Sequence, residues 1–308
     1  MFRVSELKSL IAQELAQPVD GRVDAFAAAI AAQYGEASRS VLFYGSCLRT
    51  TELDGQMLDF YLIVSSYDAA YGKSWLVAAN KRLPPNVFPA EHDGLIAKVA
   101  VLSEKDFYRL NRITASTVSV WARFAQPSRL VWYADETAQS CAVEAIEGAA
   151  ITLFDMTFPM METGTEYNIE DLWKRGFELT YGAELRAERK DRSDSVVDSD
   201  PRRYARFGPA IMAAIAERNH AQGKKLKIIA SRDAVEKRWR QLRRNGKFLT
   251  LARLAKASAT YAGGIDYLAW KINRHAGTEY VIKPWQRKWP VVGALVMLPR
   301  LIAGGAIK

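Results

Sequence analysis

The chain has 308 residues, of which 49% are hydrophobic and 25% charged, an ordinary composition for a globular protein with a full core and two domains. Its two cysteines, Cys47 and Cys141, exclude a disulfide framework and favour a reducing compartment. Three histidines without a Cys/His cluster give no support for a zinc site. Residues 1–16 alternate charged and apolar positions, which is typical of an amphipathic helix rather than of a secretory signal or transit peptide.

The net charge of +9 is spread unevenly along the chain. Residues 221–308 carry 19 Lys and Arg against 4 Asp and Glu, whereas residues 1–220 carry 24 against 30. A strongly basic C-terminal part behind an acidic front suggests that this part meets a polyanion, either a membrane or a nucleic acid.

Apolar patterns in the first 135 residues predict strands that alternate with helices. The predicted strands are residues 41–44, 57–64, 95–102 and 129–133, and the predicted helices are residues 5–16, 23–34 and 68–82, one that Ser103 caps, and 115–124. The Pro84-Pro85-Asn86 cluster closes the helix over 68–82. This alternation predicts an α/β (α+β) fold whose sheet has both faces covered by helices.

From residue 136 onward the pattern is mainly helical. Helices are expected at residues 144–158, after the cap Asn168, and at 204–222, 231–244 and 248–272, with a charged loop at 189–203. We therefore expect three parts: a sheet domain at 1–135, a helical domain at 136–225, and a basic amphipathic region at 226–308.

One short stretch carries most of the functional signal. The apolar run from Val41 ends at Gly45-Ser46, and the next apolar run contains a single carboxylate, Asp59. A carboxylate inside an apolar strand is costly unless a cation meets it. Nucleotidyltransferases hold a triphosphate with such a strand, a Gly-Ser corner and an acid that binds Mg²⁺ on a neighbouring strand. The alternative is that Asp59 ends a turn and Gly45 fits a tight corner.

The C-terminal region mixes basic residues, tryptophans and short apolar runs. Pro284-Trp285-Gln286-Arg287-Lys288-Trp289 leads into an apolar run that Pro299-Arg300 interrupts, and the run is well below the ~20 residues that span a bilayer. Basic residues with flanking tryptophans suit a segment that lies in the interface of an anionic membrane. The alternative is a last core helix with a solvated basic side.

Six motifs in order resemble the mitochondrial-type phosphatidate cytidylyltransferases, peripheral-membrane enzymes with a nucleotidyltransferase fold. The motifs are YGS at 44–46, MLDF at 57–60, KVAVLS at 98–103, WARFAQP at 121–127, IEDL at 169–172 and LTYGAELR at 179–186. The resemblance covers roughly residues 41–186. It implies a nucleotidyltransferase-type sheet, CTP and phosphatidic acid as substrates, and CDP-diacylglycerol and pyrophosphate as products. It also implies a peripheral location on the cytoplasmic face of a bacterial inner membrane, or on the matrix side in a mitochondrion.

The resemblance also implies roles for individual residues. Asp59 would bind Mg²⁺, Gly45 and Ser46 would hold the β- and γ-phosphates next to Tyr44, and Lys98 would neutralise a phosphate. Arg123 would bind a phosphate in a bidentate way. Tyr61 stands where a second acid of an Asp-x-Asp pair is expected, so Glu184 is the candidate second metal ligand, with Arg186 beside it on the nucleotide. The catalytic residues would then be Asp59, Lys98 and Glu184.

Four alternatives remain open from the sequence, two for individual residues and two for the whole protein. Instead of binding phosphate, Lys98 and Arg123 could each form a salt bridge with a local carboxylate. Instead of binding metal and nucleotide, Glu184 and Arg186 could belong to an ordinary charged helix face. The protein would be a nucleotidyltransferase with a nucleic-acid acceptor, although the tail's aromatic residues sit in apolar stretches that favour lipid over base stacking. It would otherwise be an inactive lipid-binding scaffold.

Overall fold

The computed structural model describes residues 5–162, 164, 166–184, 196–221, 231–260 and 281–288. Within this part a five-stranded sheet has helices on both faces, which confirms the predicted α/β class. The strands are β1 (Ser38–Tyr44), β2 (Met57–Val64), β3 (Asn86–His92), β4 (Leu95–Ser103) and β5 (Ser128–Tyr133). Their order is β3-β4-β2-β1-β5, and the pair β2 and β4 is parallel while the other pairs are antiparallel.

Helices occupy most of the remaining described chain. They are α1 (Glu6–Leu15), α2 (Gly21–Tyr34), α3 (Ser46–Thr50), α4 (Tyr67–Ala70), α5 (Ser74–Arg82), α6 (Glu104–Leu110), α7 (Trp121–Phe124), α8 (Glu136–Thr157), α9 (Ile169–Tyr181), α10 (Pro201–Ala221), α11 (Arg232–Thr260) and α12 (Pro284–Lys288). None of these described helices is long and apolar enough to cross a membrane.

Strand alternation divides the apolar side chains between two cores. Leu58, Phe60 and Leu62 of β2 face a core that α2 covers, whereas Tyr61 and Ile63 face a second core. The second core is built from α1 and α6 to α11, so it joins residues of the predicted sheet domain to residues of the predicted helical domain. The candidate site residues described below lie at one end of this second face.

Three predicted elements of the sheet domain differ from the observed ones. The helix predicted over 68–82 is broken into α4 and α5, because Tyr71 adopts an extended conformation after α4. The helix predicted over 115–124 is reduced to α7, and the polar side chains of Thr117 and Ser119 bond to each other before it at 3.0 Å. Strand β3 was not predicted: it contains Pro89, which sequence patterns read as a break and which an edge strand tolerates.

The helical part agrees with the sequence at its caps and differs at a loop. Asn168 caps α9 as predicted, and it forms a reciprocal capping box with Asp171. The loop predicted over 189–203 is wrong at its end, because α10 begins at Pro201 and Arg203 is buried in an ion pair with Glu14 of α1. Residues 189–195 of that loop lie outside the described chain.

The two C-terminal helices predicted at 231–244 and 248–272 form one continuous helix as far as the structure describes them. This helix, α11, runs without interruption to Thr260, and residues 261–272 lie outside the described chain. Of the predicted tail, residues 281–288 are described, and they contain the short helix α12 with Trp285 41% exposed. The three-part division of the chain stays a prediction.

Candidate active site

The corner after β1 brings Gly45 against the carboxylate of Asp59. Gly45 has φ +96° and ψ −158°, a backbone region that is essentially restricted to glycine. A Cβ atom at position 45 would lie 2.9 Å from Oδ2 of Asp59. The carboxylate therefore points at the corner, and only a residue without a side chain leaves room for it.

Strand register places Tyr44, Asp59 and Lys98 in one row across the sheet. Asp59 on β2 is paired with Tyr44 on β1 and with Lys98 on the parallel strand β4. Because side chains alternate along each strand, all three share the sheet face that carries Tyr61. The ring of Tyr44 packs 5.3 Å from the ring of Tyr61, so aromatic side chains pack against each other at this row.

The half-buried carboxylate of Asp59 lies among positive charges without touching one. Burial raises its pKa, and the charges of Lys98, Arg123 and Arg49 work in the opposite direction. Within the part of the chain that the structure describes, Asp59 makes no hydrogen bond or ion pair with another side chain. Arg49, on the last turn of α3, is a site residue that sequence reasoning missed. Such a carboxylate is poised to meet a cation or a ligand rather than locked in a structural pair.

Arg123 and Glu184 form an ion pair next to this row. Nη1 of Arg123 lies 3.5 Å from Oε1 of Glu184, and it also donates to the carbonyl oxygen of Ser119. Burial opposes the charge on Arg123, but Glu184 and then Tyr61 raise its pKa, so it stays a cation. The salt-bridge alternative for Arg123 is thus observed, and its pairing with Glu184 holds the guanidinium group close to the sheet.

Helix α11 places a further cation, Arg253, near this site, and the sequence did not predict it there. Gly246 packs so closely that a Cβ atom would lie 2.0 Å from the carbonyl oxygen of Ala183, which brings α11 onto the segment before Glu184. Arg253 is seven residues, or two turns, further along the same helix face. Its Nη1 donates to Oγ of Ser119 at 3.0 Å, and burial lowers its pKa.

This position of Arg253 differs from the sequence interpretation of α11. The sequence predicts an amphipathic helix over 248–272 within a basic region that lies in a membrane interface, or alternatively a core helix with a solvated basic side. Instead Arg253 and Lys256 turn inward and donate to the carbonyl oxygens of the Leu83–Pro85 turn. The spacing of Arg253 two turns after Gly246 is the sequence signal that could have identified this arginine. The sequence does not show which segment the helix packs against.

The described residues fit a magnesium ion held by one carboxylate rather than by two. Asp59 offers unpaired oxygens, and Mg²⁺ commonly uses one or two carboxylates together with substrate phosphates and water. Glu184 instead lies against Arg123. Among the residues that the structure describes, no group of three or more His, Cys, Asp or Glu side chains is arranged to hold a metal. Glu184 as a metal ligand therefore stays a prediction.

Two predicted site residues remain, Ser46 and Arg186. Ser46 is exposed at the start of α3, directly after the Gly45 corner. Arg186 lies outside the described residues. The structure thus brings Tyr44, Gly45, Ser46, Asp59 and Lys98 to one corner, with the Arg123–Glu184 pair next to it.

Comparison with known proteins adds little to this geometry. No family model matches the chain, and no curated protein matches it. Among solved structures, a nucleotidyltransferase-like protein from Exiguobacterium sibiricum is similar over 92% of this chain and 92% of its own, with 10% identity and a TM-score of 0.28. Because this likeness is so low, the site geometry and the sequence motifs carry the functional assignment.

Proposed function

We propose that this protein is a nucleotidyltransferase, and more narrowly a phosphatidate cytidylyltransferase that converts CTP and phosphatidic acid to CDP-diacylglycerol and pyrophosphate. The observation that carries the proposal is the contact between the Gly45 corner and the unpaired carboxylate of Asp59. A glycine in a glycine-only conformation lets a phosphate approach the backbone, and the acid beside it is free to bind a phosphate-linked cation.

The charges around the corner suit a triphosphate. Four cations, Lys98, Arg49, Arg123 and Arg253, surround two carboxylates, Asp59 and Glu184. This excess of positive charge lies at a partly buried site, where fixed charges stabilise developing negative charge more strongly than they would in water. Mg²⁺ bound through Asp59 would neutralise part of the phosphate charge and hold the triphosphate in one geometry.

The proposed reaction needs alignment more than proton transfer. A phosphate oxygen of the acceptor attacks the α-phosphorus of the nucleotide, the bond from that phosphorus to the bridging oxygen breaks, and pyrophosphate leaves with the bond electrons. A phosphate monoester is already an anion near neutral pH, so no strong general base is required. Lys98 and Arg123 would hold the phosphates in line and balance the charge that builds up on the leaving pyrophosphate.

The cytidine base and the lipid acceptor are supported by the sequence motifs. The resemblance to the phosphatidate cytidylyltransferases includes the row that carries Asp59 and Lys98 and the helix that carries Arg123. A peripheral location at an anionic membrane is supported by the 19 basic against 4 acidic residues after position 220 and by the exposed side chains of Phe248 and Trp285.

Pyrophosphate release tests this proposal. The full chain is incubated with each of four nucleoside triphosphates and Mg²⁺, with and without vesicles that contain phosphatidic acid. We expect release with CTP that depends on the lipid and is lost in Asp59→Asn. Release that requires a polynucleotide, and that falls steeply with salt, would identify a nucleic-acid acceptor instead. Vesicle binding without turnover by any nucleotide, in wild type and variant alike, would indicate a scaffold.

A further inference from the structure

A cavity lies at the other end of β2, away from the Gly45 corner. It has a volume of about 660 Å³ and opens where the parallel strands β2 and β4 end, at Ser65 and Ser103. Asp59 is the third residue of β2, whereas Ser65 directly follows its last residue. Ligands of sheets with parallel strands commonly bind at the carboxyl ends of those strands.

The wall of this cavity is rich in positive charge that carboxylates do not neutralise. Five cations line it, namely Lys81, Arg82, Lys105, Arg109 and Arg253, against two carboxylates, Asp68 and Asp106. Both carboxylates are already engaged: Asp68 accepts from Lys81 at 2.7 Å, and Asp106 accepts from Tyr67 at 2.6 Å and from Arg109 at 2.7 Å. Within the described chain, Arg82 and Lys105 have no carboxylate partner.

The same wall offers a hydroxyl donor. Oγ of Ser66 accepts from the backbone of Ala69, and Oγ of Ser103 accepts from the backbone of Asp106. Ser103 also hydrogen-bonds the side chain of Tyr67, so of these two hydroxyl groups it is Ser66 that keeps its O–H to donate to a ligand. Unpaired cations together with this hydroxyl group and engaged carboxylates form a set that binds an anion with several acceptor oxygens, such as a phosphate group.

The cavity is larger than a phosphate ion needs, and part of its wall is apolar. Leu83, Pro84, Leu110 and Leu249 line it, and Phe248 beside Leu249 is 70% exposed. A volume of this size is within the range of ~300–1,000 Å³ that organic ligands occupy. An organic group attached to the phosphate would therefore find apolar contacts.

We propose that this cavity binds the phosphomonoester group of an organic ligand, at a site separate from the Gly45 corner. The two sites meet at Arg253, which lines the cavity and donates to Oγ of Ser119, the residue whose carbonyl oxygen accepts from Arg123. The source of the phosphomonoester is either a lipid headgroup or a small soluble phosphate. The site does not depend on the proposed nucleotidyl transfer.

Binding without nucleotide tests the inference. Calorimetry on the full chain uses inorganic phosphate, glycerol 3-phosphate, and a short-chain phosphatidic acid below its micelle concentration. We expect saturable binding, at least tenfold weaker in the double variant Arg82→Gln/Lys105→Gln. The control Lys73→Gln/Arg240→Gln removes the same charge at exposed positions outside the cavity and should bind as wild type does. All four substituted residues are exposed, so folding should be retained.

The outcomes separate the ligand sources and the two proposals. Tighter binding of the lipid than of glycerol 3-phosphate identifies a lipid ligand, and equal binding identifies a soluble phosphate. Asp59→Asn should keep this binding even if it abolishes turnover, so failure of one proposal is distinguishable from failure of the other. Absence of saturable binding by all three probes, or equal weakening in the cavity and control variants, overturns the inference.

Discussion

Gly45 and Asp59 are in such close contact that a methyl group at position 45 would lie 2.9 Å from the Asp59 carboxylate. Gly45→Ala should therefore displace the carboxylate and strain a backbone with φ +96°, at a cost of about 1–3 kcal/mol. Nucleotide binding should be lost while the sheet persists. Thermal unfolding and binding of a nonhydrolysable CTP analogue measure the two effects.

Gly55→Ala is the matched control for this change. Gly55 also has a positive φ, +68°, but a Cβ atom there would meet nothing within 4 Å. We expect a loss of about 1 kcal/mol in stability and unchanged nucleotide binding. If both variants bind nucleotide equally well, then the contact with Asp59 does not shape the nucleotide site.

Asp59→Asn should make the protein more stable and inactive. Burial raises the pKa of Asp59, so its ionised form destabilises the folded state at every pH above that raised pKa. At pH 7 to 8 the neutral amide should raise the free energy of unfolding, on the order of 1 kcal/mol, and lower Mg²⁺-dependent turnover at least about 100-fold. Urea unfolding and pyrophosphate release report the two changes. A variant that is both less stable and active would show that Asp59 is a structural residue.

The pH dependence of Mg²⁺ binding should follow the same group. Since the carboxylate must be ionised to bind the cation, affinity should fall as the pH is lowered through a value above the usual pKa of aspartate. The acid limb of turnover should move to lower pH at saturating Mg²⁺, because the cation competes with the proton for the carboxylate. Titrations at several pH values measure it. An acid limb at the ordinary aspartate pKa, insensitive to Mg²⁺, would contradict this account.

Most of the sheet and the Gly45 corner could be predicted from the sequence, because the residue patterns that indicate them are local. Near-continuous apolar runs, each interrupted by one charged residue, define β2 and β4, and the lone acid in β2 is visible without any partner. Strand β3 was not accessible, since Pro89 interrupts its pattern and its place at the sheet edge depends on β4. Arg253 was not accessible either, because its contact with Ser119 joins residues 134 positions apart.

Glu184→Gln distinguishes a positioning role from a metal-binding role. Because Glu184 pairs with Arg123, the amide should loosen the guanidinium group and lower turnover by roughly tenfold, with Mg²⁺ affinity unchanged. Calorimetric Mg²⁺ titration, with Asp59→Asn as the reference for a lost ligand, decides between the roles. If Glu184→Gln weakens Mg²⁺ binding as much as Asp59→Asn does, then the sequence prediction of Glu184 as a metal ligand is right.

Lys256 should make stability depend on pH between about 7 and 10. Burial, and then the charge of Arg253, lower its pKa to about 7, whereas an unfolded lysine titrates near ~10.4. Between these values the unfolded chain binds more protons, so the free energy of unfolding should rise with pH by up to about 1.4 kcal/mol per unit. Lys256→Met should flatten this rise in urea unfolding at pH 7, 8 and 9. Lys237→Met, an exposed position on the same helix, should keep it. Equal slopes in the two variants would mean that Lys256 stays charged among the carbonyl oxygens of the Leu83–Pro85 turn.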